Sequence, residues 1–327
     1  MPKHVLVTSA GRRVSLVQGF QSACRPLDRH VFAADATPEL SAACQVADDS
    51  FKLPRVADAG FMDAFAELCE RRDIGLVIPT IDTELPTLAA ARSSFEQRGI
   101  HLVVSEPEVI DDCADKRRTH GLFARHGLGH PATYEWPDVP GFPLFAKPWD
   151  GSLSRGIEVL HDAESTTRAL ARTERLMLCE YLDPVHHDEF TIDCYYDRTG
   201  KLRGVVPRQR LKVRGGEVAK ALTVHNELVD LLFDRLGQLD GARGVLTMQA
   251  FVHRDTRTAT FIEINARFGG GYPLSRHAGA DYQRLLVNEY LLGTPVPDVV
   301  EWADRTMMLR YDAEVIRRNV GDVDGDV

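Results

Sequence analysis

The hydrophobic rhythm of this sequence changes near residue 127, and that change constrains the fold more than any other feature. Before it, short apolar runs alternate with helix-like stretches. The runs are Val5-Leu6-Val7, Val31-Phe32-Ala33-Ala34, Leu76-Val77-Ile78 and Leu102-Val103-Val104, and the helical stretches cover 14–24, 61–71 and 84–98. Short runs that are apolar at every position suit strands buried on both faces, and intervening helices join such strands in parallel. Pro107 with Asp111, Asp112 and Asp115 marks a further helix start, expected to run through Lys116 to about His126. Residues 127–143, rich in Gly and Pro, read as a linker. Beyond it, strands are expected at 144–147, 157–160, 176–181, 190–196 and 202–206, with helices at 164–172, 226–236 and 282–292. A hairpin spans 247–252 and 260–264 across the polar turn 253–258, and a last strand covers 307–311. The fold class expected is α/β for the first third and α+β for the rest.

Composition narrows the function. A chain of 327 residues with 44% apolar and 27% charged residues suits two or three modest domains with sizeable cores. Its net charge of −9 gives no basic footprint for nucleic acid. No apolar run is long enough to cross a bilayer, and the first residues do not read as a signal peptide. Cys24, Cys44, Cys69, Cys113, Cys179 and Cys194 are scattered without metal or redox spacing, as expected of reduced thiols in a cytoplasmic protein. The partners expected are therefore small molecules, with neither nucleic acid nor membrane; a homodimer stays open.

Two motifs carry chemistry. Lys147-Pro148-Trp149-Asp150-Gly151-Ser152-Leu153-Ser154-Arg155-Gly156 lies between two strand runs. Its glycines and serines let backbone N–H groups approach phosphate oxygens, with a lysine adding charge; a plain hairpin turn is the alternative. The second motif is Gln249 followed by Glu263-Ile264-Asn265-Ala266-Arg267-Phe268-Gly269-Gly270-Gly271. Residues two apart on a strand share a face, so Glu263 and Asn265 point together and Gln249 can meet them across the hairpin. Three oxygen-bearing side chains converging there suit Mg²⁺, and Arg267 next on that face suits a phosphoryl oxygen.

Lys116, Lys147, the glycine loop, Cys179-Glu180-Tyr181-Leu182, Glu189 and the Gln249–Arg267 run together resemble the ATP-grasp superfamily, from Val5 to about Ile316. Within it, the chain resembles a single module of the carbamoyl-phosphate synthase large chain. The resemblance implies a Rossmann-like N-terminal domain (1–112) followed by a two-lobed ATP-grasp fold. The small nucleotide lobe would span 113–187 and the large lobe 188–316, leaving 317–327 as a frayed tail. It implies ATP and Mg²⁺ as cofactors, with Mn²⁺ as a substitute. Lys116 and Lys147 would contact ATP phosphates under a lid containing Gly151, Ser152, Ser154 and Gly156. Glu180, Tyr181 and Leu182 would form the adenine hinge, and Glu189 would hold the ribose. Gln249, Glu263 and Asn265 would ligate the metal, while Arg267 and Lys147 would be catalytic. Leu153 departs from the small or polar residue usual at its loop position.

The activity implied is phosphorylation of a carboxylate to an acyl phosphate, followed by attack of an amine. Phosphorylation of bicarbonate or carbamate, and a non-catalytic nucleotide sensor, are the alternatives. For the acceptor, loops 8–13 and 79–84 follow strands of the parallel sheet, the usual ligand edge. Asp82 and Glu84 could hold an amine and Arg12 or Arg13 a carboxylate; a simple helix cap is the competing reading of both acids. Arg208, Arg210, Lys212 and Arg214 would form a cationic stripe if 208–214 is a regular strand, facing either an anionic substrate or solvent.

Overall fold

The computed structural model describes residues 3–151, 156–318 and 320. Strands β1 (His4–Val7), β2 (Val31–Asp35), β3 (Asp49–Lys52), β4 (Ile74–Ile78) and β5 (His101–Leu102) form a parallel sheet in the order β3-β2-β1-β4-β5. The apolar runs that announced four of these strands are buried on both faces. The remaining strand, β3, has the polar sequence Asp49-Ser50-Phe51-Lys52 because it closes an edge and stays partly exposed. Helices α1 (Val14–Cys24), α2 (Ala42–Val46), α3 (Phe61–Arg71) and α4 (Leu85–Glu96) connect the strands. Val7 of β1 lies opposite Ile78 of β4, so the loops that follow them share one sheet edge. Thr80 fastens these loops, donating its hydroxyl to Ser9 O at 2.7 Å.

The helix expected to run unbroken to His126 is two helices, α5 (Pro107–Ala114) and α6 (Lys116–Arg125). Asp115 separates them: its backbone is extended, and its carboxylate accepts from the Arg117 N–H at 2.9 Å as the N-cap of α6. An N-cap side chain satisfies amide groups that a continuous helix would pair internally, so the aspartate favours a restart. Lys116 thereby becomes the first residue of α6.

A four-stranded antiparallel sheet follows, ordered β6-β9-β7-β8, from β6 (Thr133–Tyr134), β7 (Leu144–Pro148), β8 (Glu158–Leu160) and β9 (Leu176–Glu180), with α7 (Ala163–Arg172) against it. The largest sheet is ordered β14-β13-β10-β11-β12-β15. Its strands are β10 (His187–Tyr196), β11 (Leu202–Arg214), β12 (Glu217–Thr223), β13 (Gly244–His253), β14 (Ala259–Asn265) and β15 (Met307–Leu309), all joined antiparallel. Helices α8 (Glu227–Leu236), α9 (Pro273–His277) and α10 (Tyr282–Leu292) complete the chain's regular structure among the described residues.

The cores show which parts pack together. Leu6, Phe65, Leu88 and Val104 from the parallel sheet share one apolar cluster with Phe190, Ile192, Leu246 and Phe261 from the largest sheet. A second shared cluster joins Val5 and Phe20 to Phe268, Tyr272 and Tyr282. The four-stranded sheet instead packs around its own small core of Leu144, Ala146, Leu160, Ala169 and Leu178.

Helix α10 returns to seat α1 and so fixes the loop that precedes it. A Cβ added at Gly19 would lie 2.1 Å from the Gln283 amide oxygen. Gln283 is fully buried and donates to Leu16 O at 2.6 Å, so it has nowhere to swing. Gly19→Ala, ordinarily stabilising in a helix by roughly 0.5–1 kcal/mol, is expected here to destabilise by about 1–3 kcal/mol through overpacking. Urea denaturation should show a lower midpoint with an unchanged slope.

Candidate functional site

Strands β13 and β14 pair with Gln249 opposite Glu263 and Thr247 opposite Asn265. Glu263 and Asn265 are half-buried on one face, while Phe261 and Ile264 are buried on the other. Glu263 Oε1 accepts from Gln249 Nε2 at 2.7 Å and from Asn265 Nδ2 at 3.1 Å. Arg267 Nη2 donates to Asn265 Oδ1 at 3.3 Å and to Asp82 Oδ2 at 2.6 Å. At the other end, Arg210 reaches Gln249 Oε1 at 3.4 Å and places its Nε 3.3 Å from Glu189 Oε2. A charged belt therefore runs from Glu189 on β10 through Arg210, Gln249, Glu263, Asn265 and Arg267 to Asp82, after β4. Burial pushes the Glu189 carboxyl above its usual range; Arg210 opposes the shift and Glu263 adds to it.

Gln249, Glu263 and Asn265 fit a hard divalent cation. They offer oxygen without sulfur or imidazole, and either amide presents its oxygen after a half-turn. Among the described residues, no group of three or more His, Cys, Asp or Glu is arranged to hold a metal. An ion here would rest on the one carboxylate and keep water or phosphate oxygens, the habit of Mg²⁺.

Both lysines face the same cleft. Lys116, opening α6, donates its ammonium to Gly151 O, and its N–H donates to Trp149 O at 2.8 Å. Arg117 stacks over the Trp149 ring at 4.0 Å, holding the same loop. Lys147 on β7 is buried and crosses to the largest sheet, donating to Ile262 O at 3.3 Å. Burial pulls its ammonium below the usual lysine value, against Cys179 and Glu263, which favour the charged form. His120, one turn after Lys116, is buried with its ring 5.0 Å from that of His130; desolvation, then Lys147, push it down to about 3, so it is neutral. The hinge leaves β9 at Glu180, whose N–H donates to Ala132 O at 2.8 Å. Among the described residues, nothing accepts from the Leu182 N–H. Tyr181 and Leu182 are half-buried, and Gly151 and Gly156 flank Pro148. Ser152 and Ser154 lie outside the described residues.

The basic stripe does not exist. Strand β11 is irregular between Arg210 and Val213, which breaks the alternation that would align positions 208 to 214. Arg208 is fully buried, paired with Asp193 through Nε at 2.8 Å and Nη2 at 3.0 Å, so it is not substrate-facing. Arg214 is on the surface against Asp312 at 3.1 Å. Arg210 alone of these three reaches the belt. Glu84 is likewise not an amine holder: it is buried and accepts from the Thr80 N–H at 2.7 Å, the Ile81 N–H at 3.3 Å and Ser9 Oγ at 3.1 Å. Its cap-like role was the competing reading. Asp82, two residues earlier, points the other way, to Arg267.

Sequence reasoning missed the support beneath the belt. Asp193 accepts from Ser275 Oγ at 2.6 Å as well as from Arg208, and Thr247 Oγ1 donates to Arg267 O at 2.8 Å. A Cβ at Gly271 would lie 2.0 Å from Arg208 Nη1, so the buried guanidinium props the glycine turn after Arg267. Asp193→Asn would leave a buried guanidinium without its counterion. A loss of about 3–5 kcal/mol is expected, read as a lower denaturation midpoint.

The family described as PylC-like, N-terminal domain, matches residues 5–103, and the family described as ATP-grasp in the biosynthetic pathway with Ter operon matches residues 172–313. No curated protein matches the chain. Similar solved structures include biotin carboxylase from Campylobacter jejuni, with 13% identity, TM-score 0.67, 91% of this chain and 72% of that one covered. N5-carboxyaminoimidazole ribonucleotide synthetase from Thermus thermophilus is 19% identical, with TM-score 0.66 and coverage of 93% and 81%. L-amino acid ligase from Bacillus licheniformis is 16% identical, with TM-score 0.66 and coverage of 88% and 74%. The chain thus carries a region similar to a PylC-like N-terminal domain, followed by a region similar to an ATP-grasp domain, and it shares the fold of these structures.

Proposed function

We propose that the chain is an ATP-dependent ligase that activates a carboxylate as an acyl phosphate and passes the acyl group to an amine, releasing ADP and phosphate. The observation that carries this reading is the belt from Gln249 through Glu263 and Asn265 to Arg267, facing Lys147 across the cleft. It gathers oxygen ligands, two cations and an adjoining sheet edge at one place. Phosphoryl transfer needs little from the protein beyond positioning and charge neutralisation.

In this reading Lys116 and Lys147 hold the phosphates, and the Leu182 N–H and the Glu180 carbonyl read adenine. Tyr181 lines the hinge, and Glu189, braced by Arg210, holds the ribose. Gly151 and Gly156, with Ser152 and Ser154 between them in sequence, belong to the motif that approaches the phosphates. Gln249, Glu263 and Asn265 hold Mg²⁺, or Mn²⁺ with the same oxygen ligands, which neutralises phosphate charge when bound. Arg267, released from Asp82, meets the transferred phosphoryl group. A carboxylate oxygen bonds to the γ-phosphorus as the bond to the ADP oxygen breaks. The amine nitrogen then attacks the acyl carbon, phosphate departs, and the amine proton passes to solvent. The belt holds no Cys, Ser or His side chain, and its carboxylates are engaged by Gln249, Arg210 and Arg267, so in this reading the covalent intermediate lies on the substrate.

The division into 1–112, 113–187 and 188–316 follows the same reading, with ATP between the last two. The six cysteines are free, five of them buried, which suits a reducing compartment, and we place the protein in the cytoplasm. No helix among the described residues is long and apolar enough to cross a membrane. The substrates are small molecules.

Two measurements test the proposal. Phosphate release from ATP should require Mg²⁺ and be stimulated by a carboxylate with an amine; a panel including bicarbonate separates carboxylate activation from bicarbonate chemistry. A nucleotide-binding protein with no release under any combination would be a sensor, and the ligase reading would fall. Glu263→Gln removes the single charged metal ligand and should lower kcat by at least two orders of magnitude with the melting temperature preserved. Wild-type turnover in that variant would remove the metal assignment.

A further inference from the structure

Beside the belt, four guanidiniums meet two carboxylates where the loop after β1, the β11–β12 hairpin, the glycine turn and the end of β15 converge. Arg12 donates to Glu217 Oε1 at 2.7 Å, and Arg310 donates to Glu217 Oε2 at 2.6 Å and to Gly270 O. Arg267 is taken by Asp82. Arg13 is half-buried and makes one long hydrogen bond among the described residues, to Thr80 O at 3.3 Å. Burial, then Arg267, pull its guanidinium down to about 10, with Glu217, Asp82 and Arg310 also within its field. A Cβ at Gly270 would come within 3.7 Å of Glu217 Oε2 and 3.9 Å of Arg13 Nη1, so the glycine turn opens onto both.

Arginine stays protonated at neutral pH, so the cluster carries four positive charges against two negative, an excess of two. The amino end of α1 adds the same sign: it has no side-chain cap and no acid in its first turn. Arg13, half-buried without an ion pair among the described residues, and Arg310, which shares Glu217 with the exposed Arg12, cost free energy that an anion would recover. The lysines already have the ATP phosphates to serve under the proposed ligase activity, on which this inference rests. Beyond them the excess of two falls on Arg267, which faces the acceptor carboxylate as well as the transferred phosphoryl, and on Arg13 with Arg310; Arg12 is exposed.

We propose that the acceptor is a dianionic small molecule, with one carboxylate presented to the γ-phosphate beside Arg267 and a second anionic group held by Arg13 and Arg310. Glu217 occupies Arg310 until the ligand replaces it. A zwitterion would leave the excess at two, since its ammonium cancels its carboxylate; a monocarboxylate would leave one charge unmatched.

The test uses chain-matched monocarboxylates, dicarboxylates and simple α-amino acids of four and five carbons. Binding in the presence of MgADP is measured by calorimetry, and phosphate release from MgATP with an amine supplied. Dicarboxylates are expected to bind more tightly than their monocarboxylate partners by roughly 10- to 150-fold, the value of one charge-assisted hydrogen-bonding group. Arg310→Ala and Arg13→Gln should erase that advantage while MgADP affinity and melting temperature hold. Glu217→Gln, which frees Arg12 and Arg310, should tighten dicarboxylate binding. The proposal is overturned if monocarboxylates or amino acids match the dicarboxylates, if Arg310→Ala leaves the preference intact, or if Glu217→Gln weakens dicarboxylate binding. Dicarboxylates that bind preferentially without any phosphate release would uphold the anion site and overturn the ligase reading instead.

Discussion

Taking a carboxylate and a guanidinium out of water costs several kcal/mol per ion, repaid only when geometry and extra hydrogen bonds satisfy both groups. Asp193 and Arg208 form such a pair at the centre of the largest sheet, with Arg208 Nη1 left without a hydrogen-bond partner among the described residues, under the glycine turn. They join adjacent strands through two hydrogen bonds, and Ser275 supplies a third donor to the carboxylate. What depends on the pair is the path of the chain after β14. Arg208 lies so close under Gly271 that no side chain fits there, and Thr247 beside Asp193 holds the Arg267 carbonyl. The guanidinium of Arg267 is therefore aimed by its own backbone, which buried charges fix from below. Tyr282 closes the network by donating to Asp193 O at 3.0 Å.

Aromatic packing carries that fixed point across to the parallel sheet. Phe268, next after Arg267, meets Phe20 of α1 edge-on at 6.1 Å and Tyr272 at 4.6 Å, and Tyr272 stacks on Tyr282 at 5.6 Å. Such pairs contribute about 0.5–1.5 kcal/mol each beyond their buried area. Their larger effect here is geometric. Helix α1 begins directly after Arg12 and Arg13, so seating α1 against Phe268 and α10 sets those arginines beside the glycine turn. The four-stranded sheet has no share in these clusters and meets the belt through Lys147, while Lys116 stands on α6, whose Leu122 and Phe123 belong to the shared core.

Local pattern made much of this legible. The period-two spacing of Glu263 and Asn265, and the polar turn that pairs them with Gln249, follow from strand geometry alone, and the registers agree. The parallel sheet was legible for the same reason wherever a strand is buried on both faces; β3 was not, because an edge strand need not be apolar. Asp115 caps its own helix rather than joining the one before it, and three aspartates in five residues give no sign of which one caps. Arg208 and Arg210 show the deeper limit. They are the same residue type on one strand, yet one is sealed against Asp193 and the other faces Glu189. Only the partner, some fifteen or twenty residues away in sequence, decides between them. Glu217 and Arg310 were unreadable for that reason: neither belongs to a local motif, and each acquires meaning only from the other.

The two charged systems differ in how well they balance. In the belt each cation has its acid or amide: Arg210 with Glu189 and Gln249, Arg267 with Asn265 and Asp82. In the seam between the parallel sheet and the β11–β12 hairpin, one carboxylate serves two guanidiniums, and a third guanidinium has none among the described residues. The parallel sheet and the largest sheet share their cores, which keeps Arg13 beside the glycine turn. The excess is thus a property of the fold that mobile ions relieve only partly, because half-buried charges are weakly screened. A ligand bringing the missing anions would bind this form of the chain in preference to the unfolded one and stabilise it by mass action. The strain left in the seam and the preference for an anionic acceptor are then two readings of the same electrostatic imbalance.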